Sequence, residues 1–270
     1  MISVKKQSAT FALSYNKPIK NRHMKKRSKD AVWKHYYKVG DVLHVFRYGD
    51  TSNDKIADFE ERILQTYHFS KEQFELANSG EKFTMEAFFA LDGKVCFDCP
   101  FAVSNGAKVS ACYTHKMMQY SGFLSSIRSI GLKLEWNDIP EFSEEIANDI
   151  ISDAAGLYVR FGTYGEPSLI PLPLMRSICA VAKNWTGYTH QWLRKPEYSV
   201  FLMASVHNEA QATFAAKQGW RSFVATKEGI AGLVNCPASE EAGFKSTCSK
   251  CGLCSGSEGK GKKSVWILQH

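Results

Sequence analysis

An α/β fold with parallel strands is what this sequence predicts, and three observations predict it. From Phe88 to the C-terminus, short apolar runs take turns with helical patterns. Alternation of that kind builds parallel strands joined by right-handed crossovers, as a (β/α) barrel or an open doubly wound sheet. The residues of unusual chemistry follow the C-terminal ends of the expected strands: Cys96 after FFALDG, Arg160 and Glu166 around GLYVRFGTYGEP, His190 after GYT, Ser205 after FLMA, Thr226 after FVA and Cys236 after GLVN. In parallel α/β folds those ends share one rim, where ligands gather. Finally, seven of the eight cysteines fall in two short segments that such a rim would bring together.

The elements follow in chain order. Residues 1–85 read as a basic arm and an α+β extension, and 86–270 as the barrel domain. VGDVLHVFRYGD has the β-branched and aromatic make-up of a strand, and 54–69 places Ile56, Phe59, Ile63 and Tyr67 at helical spacing. FFALDG reads as a strand, with the Cys96–Cys112 loop directly after it. Residues 114–130 read as a helix capped by Thr114 and ended by Gly131, and LKLEW as a short strand. SEEIANDIISDA is an amphipathic helix with Ser143 as N-cap. GLYVRF (strand), PLPLMRSICAVAKNW (helix), GYTHQW and SVFLMAS (strands) and NEAQATFAAKQG (helix) follow, and WRSFVAT, GLVNC and SVWILQH complete the strands.

Composition narrows the class. The chain has 270 residues and 44% hydrophobic content, enough for one sizeable core with an extension. Its start, MISVKKQSATFALSYNKP, lacks the apolar core of a signal peptide, and no stretch approaches the roughly 18 apolar residues of a membrane span. A cytoplasmic protein with no membrane partner is expected. Disulfide frameworks belong to small secreted domains and do not fit. No P-loop, Gly-x-Gly-x-x-Gly or serine nucleophile elbow occurs, so phosphoryl transfer, nicotinamide chemistry and serine hydrolysis lack support. Much of the net charge of +7 sits between Lys17 and Lys38, with Lys25, Lys26 and Arg27 beside Trp33, Tyr36 and Tyr37. Such an arm either grips nucleic-acid phosphates and stacks on bases or is a solvated tail.

The cysteines carry the chemistry. Cys236 precedes Cys248, Cys251 and Cys254 in an unbroken C-x2-C-x2-C run, and Cys96, Cys99 and Cys112 form the earlier set. Crowded thiolates repel unless a cation takes them up, so both sets read as metal ligands. Zinc sites usually pair their cysteines as two separate knuckles, whereas three cysteines at three-residue steps suit one face of a [4Fe–4S] cube. Cys179, in LPLMRSICAVA, reads as a buried inert thiol.

On these residues the chain from Phe88 onward resembles the radical-SAM superfamily, and within it a phage-associated group of radical-SAM-like barrel proteins. The resemblance rests on CFDCPF…ACY, Gly165-Glu166-Pro167, GYTHQW and the terminal NCPASEEAGFKSTCSKCGLCSG. It implies a (β/α) barrel, whole or partial, in which Cys96, Cys99 and Cys112 hold a first [4Fe–4S] cluster with one iron open for S-adenosylmethionine. It further implies that Gly165, Glu166 and Pro167 contact that ligand and that the four late cysteines hold an auxiliary cluster. A phage-encoded protein would work in the host cytoplasm. The superfamily's usual loop is C-x3-C-x2-C, whereas this one is C-x2-C-x12-C.

Other residues admit two readings each. Gly165-Glu166-Pro167 is a ligand contact or an ordinary polar turn. His115 and His190 are ligands, acid–base groups or simply hydrogen-bonded residues. Arg160 binds an anionic ligand or pairs with Glu166. Trp185, Trp192 and Trp220 are expected in the core. The first functional reading is an iron–sulfur protein with one or two clusters, acting on a small molecule by radical or redox chemistry or retaining the cluster without the reaction. The second is a zinc-stapled nucleic-acid-binding protein using the basic arm. The third is an electron carrier.

Overall fold

A computed structural model describes residues 33–49, 51, 53, 55–58, 61–115 and 117–268. The basic stretch with Lys25, Lys26 and Arg27 lies outside the described residues. Strands β1 (Trp33–Val39), β2 (Val42–Gly49) and β3 (Ile63–Ser70) form an antiparallel meander. Strands β4 (Tyr158–Tyr164) and β5 (Asn184–Thr186) extend it in parallel, giving the order β1-β2-β3-β4-β5. A second, wholly parallel sheet holds β6 (Tyr188–Thr189), β7 (Met203–Val206), β8 (Ser222–Thr226), β9 (Val234–Asn235) and β10 (Val265–Leu268), in the order β6-β7-β8-β10-β9. The α/β class with parallel-rich sheets is therefore as expected. Among the described residues the strands do not close into a barrel, because β1 and β9 end the two sheets.

Only Gly187 separates β5 from β6. Its N–H donates to the Cys254 carbonyl (2.8 Å), and its own carbonyl accepts from Met203 N (3.0 Å). A Cβ there would stand 2.6 Å from Leu202 Cδ2 and 2.9 Å from Phe161 Cβ, so only glycine lets the two sheets meet this closely.

The helices bury both faces. Helices α5 (Glu144–Ala154), α6 (Leu172–Val181) and α7 (Glu209–Lys217) share a core with Phe46, Tyr48, Phe161 and Val224. Helices α1 (Lys71–Asn78), α2 (Met85–Phe89) and α4 (Met117–Gly131) pack with Leu43, Val45, Phe69 and Tyr164 in a second. Caps set the starts: Ser70 and Gln73 form a capping box on α1, while Ser143 and Asn208 accept from the third N–H of α5 and α7.

Several local expectations are corrected. Among the described residues of 54–69 no helix forms, Phe59 lying outside them: Ile63–Ser70 is β3, buried along its whole length between β2 and β4. Burial on both faces removes the need for alternation, so apolar residues fall at helical intervals without a helix. FFALDG is not a strand; Thr84 Oγ1 accepts from Ala87 N and starts α2 there, and α3 (Gly93–Cys96) follows. The cysteine loop therefore follows two short helices, not a strand end. LKLEW leads into a 3-10 turn at Trp136–Asp138, with Leu132 exposed. Tyr36, Tyr37 and Lys38 belong to β1 rather than the basic arm, and Tyr37 is fully buried against His44, which removes it as a base-stacking platform. β3, from the expected extension, pairs directly with β4.

Candidate metal centre

The first thiol set is built by a carboxylate. Asp92, fully buried, accepts from Val103 N and Ser104 N (both 3.2 Å) and closes the segment 93–104 upon itself. Inside that closure α3 ends at Cys96, Phe97 turns the chain at φ +49°, and Cys99 N donates to Cys96 O (3.0 Å). Residues 105–111 run outward before Cys112 returns, its thiol 3.0 Å from Thr114 Oγ1. Positive φ at a non-glycine residue costs on the order of 1 kcal/mol and persists where the surroundings enforce it.

Gly165-Glu166-Pro167 comes to the same place. A bulge between β3 and β4 shifts the register from Gln65↔Arg160 to Tyr67↔Tyr164 and re-aims the end of β4. Gly165 sits at φ +76° with His68 directly beneath: an added Cβ would lie 2.8 Å from His68 Cβ. Glu166 N donates to Val95 O (2.7 Å), fastening the turn one residue before Cys96. The result is a cavity of about 80 Å³ lined by Cys96, Cys99 and Cys112 together with Gly165, Glu166, Pro167, His115 and His190. That is several times the room one water needs, which is about 10–15 Å³.

Electrostatics in the cavity favour neutral thiols until a cation arrives. Burial first, then Asp92, Cys99, Cys112 and Glu166, push Cys96 well above the usual thiol range. Cys99 is pushed up to about 12 mainly by burial, and Cys112 is raised by burial despite Thr114. Glu166 is raised by burial against the donors Thr189, His190 and Ser168. His190 is lowered to about 4 by burial and by His207, so its imidazole is neutral. Because the folded thiols hold protons that the unfolded chain releases, metal-free protein should lose stability as pH rises above about 8.5. Denaturant midpoints measured from pH 7 to 10 check this; a midpoint that rises across that range would contradict the raised thiols.

The second set hangs from the other sheet. Cys236 follows β9, and Cys248 and Cys251 bound a single-turn helix, α8 (Cys248–Cys251), closed by Gly252 at φ +62°. Cys248 N and Ser249 N donate to Lys55 O and Ile56 O (2.9 and 2.8 Å). Burial raises Cys236, Cys248 and Cys254, and the thiols of the set add to this: Cys251 raises all three, and Cys236 raises Cys248 and Cys254. Arg221 shapes the following loop, its guanidinium donating to the carbonyls of Leu253, Ser255, Gly256 and Lys263. Arg221→Ala should orphan several of those carbonyls and cost about 3 kcal/mol. A melting curve checks it, and an unchanged midpoint would contradict it.

A polar strip joins the sets. Arg160 Nη2 donates to Tyr113 Oη (2.7 Å), Tyr188 Oη lies 3.5 Å from Tyr113 Oη, and Tyr188 stacks on Phe223 (4.4 Å). Tyr113 and Tyr188 line the first cavity, while the Arg160 charge lowers Cys248 of the second set. No Arg160–Glu166 ion pair is present among the described residues. Cys179 is buried in α6, away from both sets, and Trp192 and Trp220 are core residues. Sequence reading missed Asp92, Tyr113, Tyr188 and Arg221; the Asp92-Gly93 pair before the first cysteine was the available signal.

Among the described residues, no three His, Cys, Asp or Glu side chains stand close enough to hold one metal ion between them. The thiol sets are wider associations, defined by the shared cavity and by mutual electrostatic influence. No described helix is long and apolar enough to cross a membrane. Comparisons with protein-family models, with curated proteins and with solved structures give no match.

Proposed function

We propose that the protein is an iron–sulfur protein of radical-SAM-like architecture, with one [4Fe–4S] cluster at Cys96, Cys99 and Cys112 and a second at Cys236, Cys248, Cys251 and Cys254. The observation that carries this reading is the arrival of three cysteines, 16 positions apart along the chain, in one cavity roomier than a single ion needs. The donor set fits: soft sulfur ligands select iron–sulfur clusters or zinc. A cube spreads its thiolates over separate irons, which asks for wider spacing than the roughly 3.8 Å between sulfurs on one zinc.

When bound, such a cluster supplies one-electron chemistry. The chain's own residues would bind and enclose it. Asp92 and Asn105 hold the thiol loop closed, Asn105 through the carbonyls of Phe97 and Cys99. Tyr164 and Phe89, buried beneath, exclude water. Three cysteines leave one corner of a cube to another group of the cavity or to an exogenous ligand such as S-adenosylmethionine. Glu166 lines the same cavity with both oxygens engaged, Oε1 accepting from Ser168 N (3.3 Å) and Oε2 from His190 N (3.0 Å), and Thr189 also donates to the carboxylate.

Anaerobic purification tests the reading. The protein should be brown, with broad absorption near roughly 400 nm that bleaches on reduction, and should carry iron and sulfide in equal amounts. Colourless protein loaded with zinc would overturn it. S-adenosylmethionine then divides the outcomes further: a perturbed EPR spectrum and accumulation of 5′-deoxyadenosine under dithionite would make it a radical enzyme, and neither signal would leave a cluster scaffold.

A further inference from the structure

One side chain in the first cavity points at a thiol from outside the cysteine loop. His190 follows β6, and its Nε2 lies 3.7 Å from Cys99 Sγ. Two contacts of its own and two of its neighbours hold it there. Its backbone N–H is bound by Glu166 Oε2 at 3.0 Å, and its ring stacks on His207, with centroids 5.5 Å apart. The residues after it grip the loop: Gln191 Nε2 donates to Asp98, and Arg194 pairs with Asp98 at 3.1 Å. On the far side, His207 meets Phe101 edge-on. The cysteine loop is thus clamped to the ends of β6 and β7 around the Cys99–His190 contact. The cavity's other histidine is differently engaged, with His115 Nδ1 against the Val109 carbonyl and its ring against Phe89.

A cluster thiolate can only accept, so the tautomer that serves this contact carries its proton on Nε2. A hydrogen bond to a ligating sulfur draws electron density from the cluster and makes it easier to reduce, one of the protein's main means of setting a cluster's potential. Within the iron–sulfur reading above, on which this rests, we propose that His190 raises the reduction potential of the first cluster by donating Nε2–H to the Cys99 thiolate, in addition to the contact of Thr114 with Cys112. Glu166 is then a positioning residue, since it fixes the backbone that presents the imidazole. That role for the carboxylate is separate from any contact with an exogenous amine.

The test is a redox titration of the full chain, reconstituted anaerobically and followed by EPR, with the first-set signal identified by its loss in Cys99→Ala. His190→Phe should lower the equilibrium constant for reducing the first cluster about tenfold, which is 59 mV for a one-electron couple. His190→Gln, which keeps an N–H donor, should recover most of that shift. The second cluster's potential should not move in either variant. An unchanged first-set potential in fully loaded His190→Phe would overturn the proposal. So would loss of the first cluster in both variants, which would make His190 a ligand or a structural support. Wild-type protein without iron and sulfide would instead bring down the underlying reading, and this one with it.

Discussion

Cys251→Ala is expected to strip the second thiol set of its metal and lower folding stability in the same step. Cys251 ends α8, whose first two amides, Cys248 N and Ser249 N, hold the carbonyls of residues 55 and 56. On the iron–sulfur reading, a ligand lost there releases a metal bond and loosens the single turn that presents those amides. Structural metal binding is worth about 10–16 kcal/mol in four-ligand zinc peptides, so one ligand's share is on the order of 3 kcal/mol. The comparison variant is Cys179→Ala, which should leave iron content unchanged and cost only about 1 kcal/mol through lost packing in α6. Iron analysis with a denaturant titration reads both. Should Cys179→Ala release iron while Cys251→Ala does not, the ligand assignment is wrong.

Gly165→Val should be nearly as damaging, and at the other site. The position needs a positive φ, and any Cβ would press on His68, whose ring stacks edge-on with His44 in the sheet behind it. Backbone strain and overpacking together should cost about 3 kcal/mol or more. The turn carries Glu166 N, which is tied to Val95 O beside Cys96, so on the iron–sulfur reading the first cluster should be lost while the second remains. Half the wild-type iron, with the second-set EPR signal intact, is the expected reading. Full iron content in a stable variant would show that the turn does not shape the first site.

How much of this was legible in the residues depends on which force decided each element. The helices α5, α6 and α7 were readable because local signals agreed: Ser143 and Asn208 cap, Gly219 stops, and the apolar faces repeat at helical spacing. β3 was not readable, since it is made by its neighbours; buried on both faces, it carries Leu64 and Gln65 out of step, and alternation survives only over Tyr67–Ser70. FFALDG misled for the converse reason. Two phenylalanines look like a strand, but the cap at Thr84 lies outside the run and decides for a helix. At the site, the identities of the candidate ligands were plain in the spacing of the cysteines, whereas their partners were not. His190 was visible as a candidate from its place after GYT, though not its contact with Cys99; Asp92 and Arg221 act through amides and carbonyls brought near by the fold, and only the Asp92-Gly93 pair hinted at the first of these.

The closure made by Asp92 bears on how such proteins are found. Cys96 and Cys99 sit inside a segment sealed at Val103 and Ser104, and Cys112 is presented by separate turns beside Thr114. Between them Ser104–Gly106, Lys108 and Ser110 are exposed. Lengthening an exposed excursion whose ends are already fixed costs little, about 0.6 kcal/mol per doubling of a flexible loop. The count of residues between Cys99 and Cys112 is therefore a free variable, and a search keyed to one spacing passes over every protein that draws the same three sulfurs together with a longer or shorter detour. In this chain the fixed points are Asp92, four residues before the first cysteine, and His190, which returns from the end of β6.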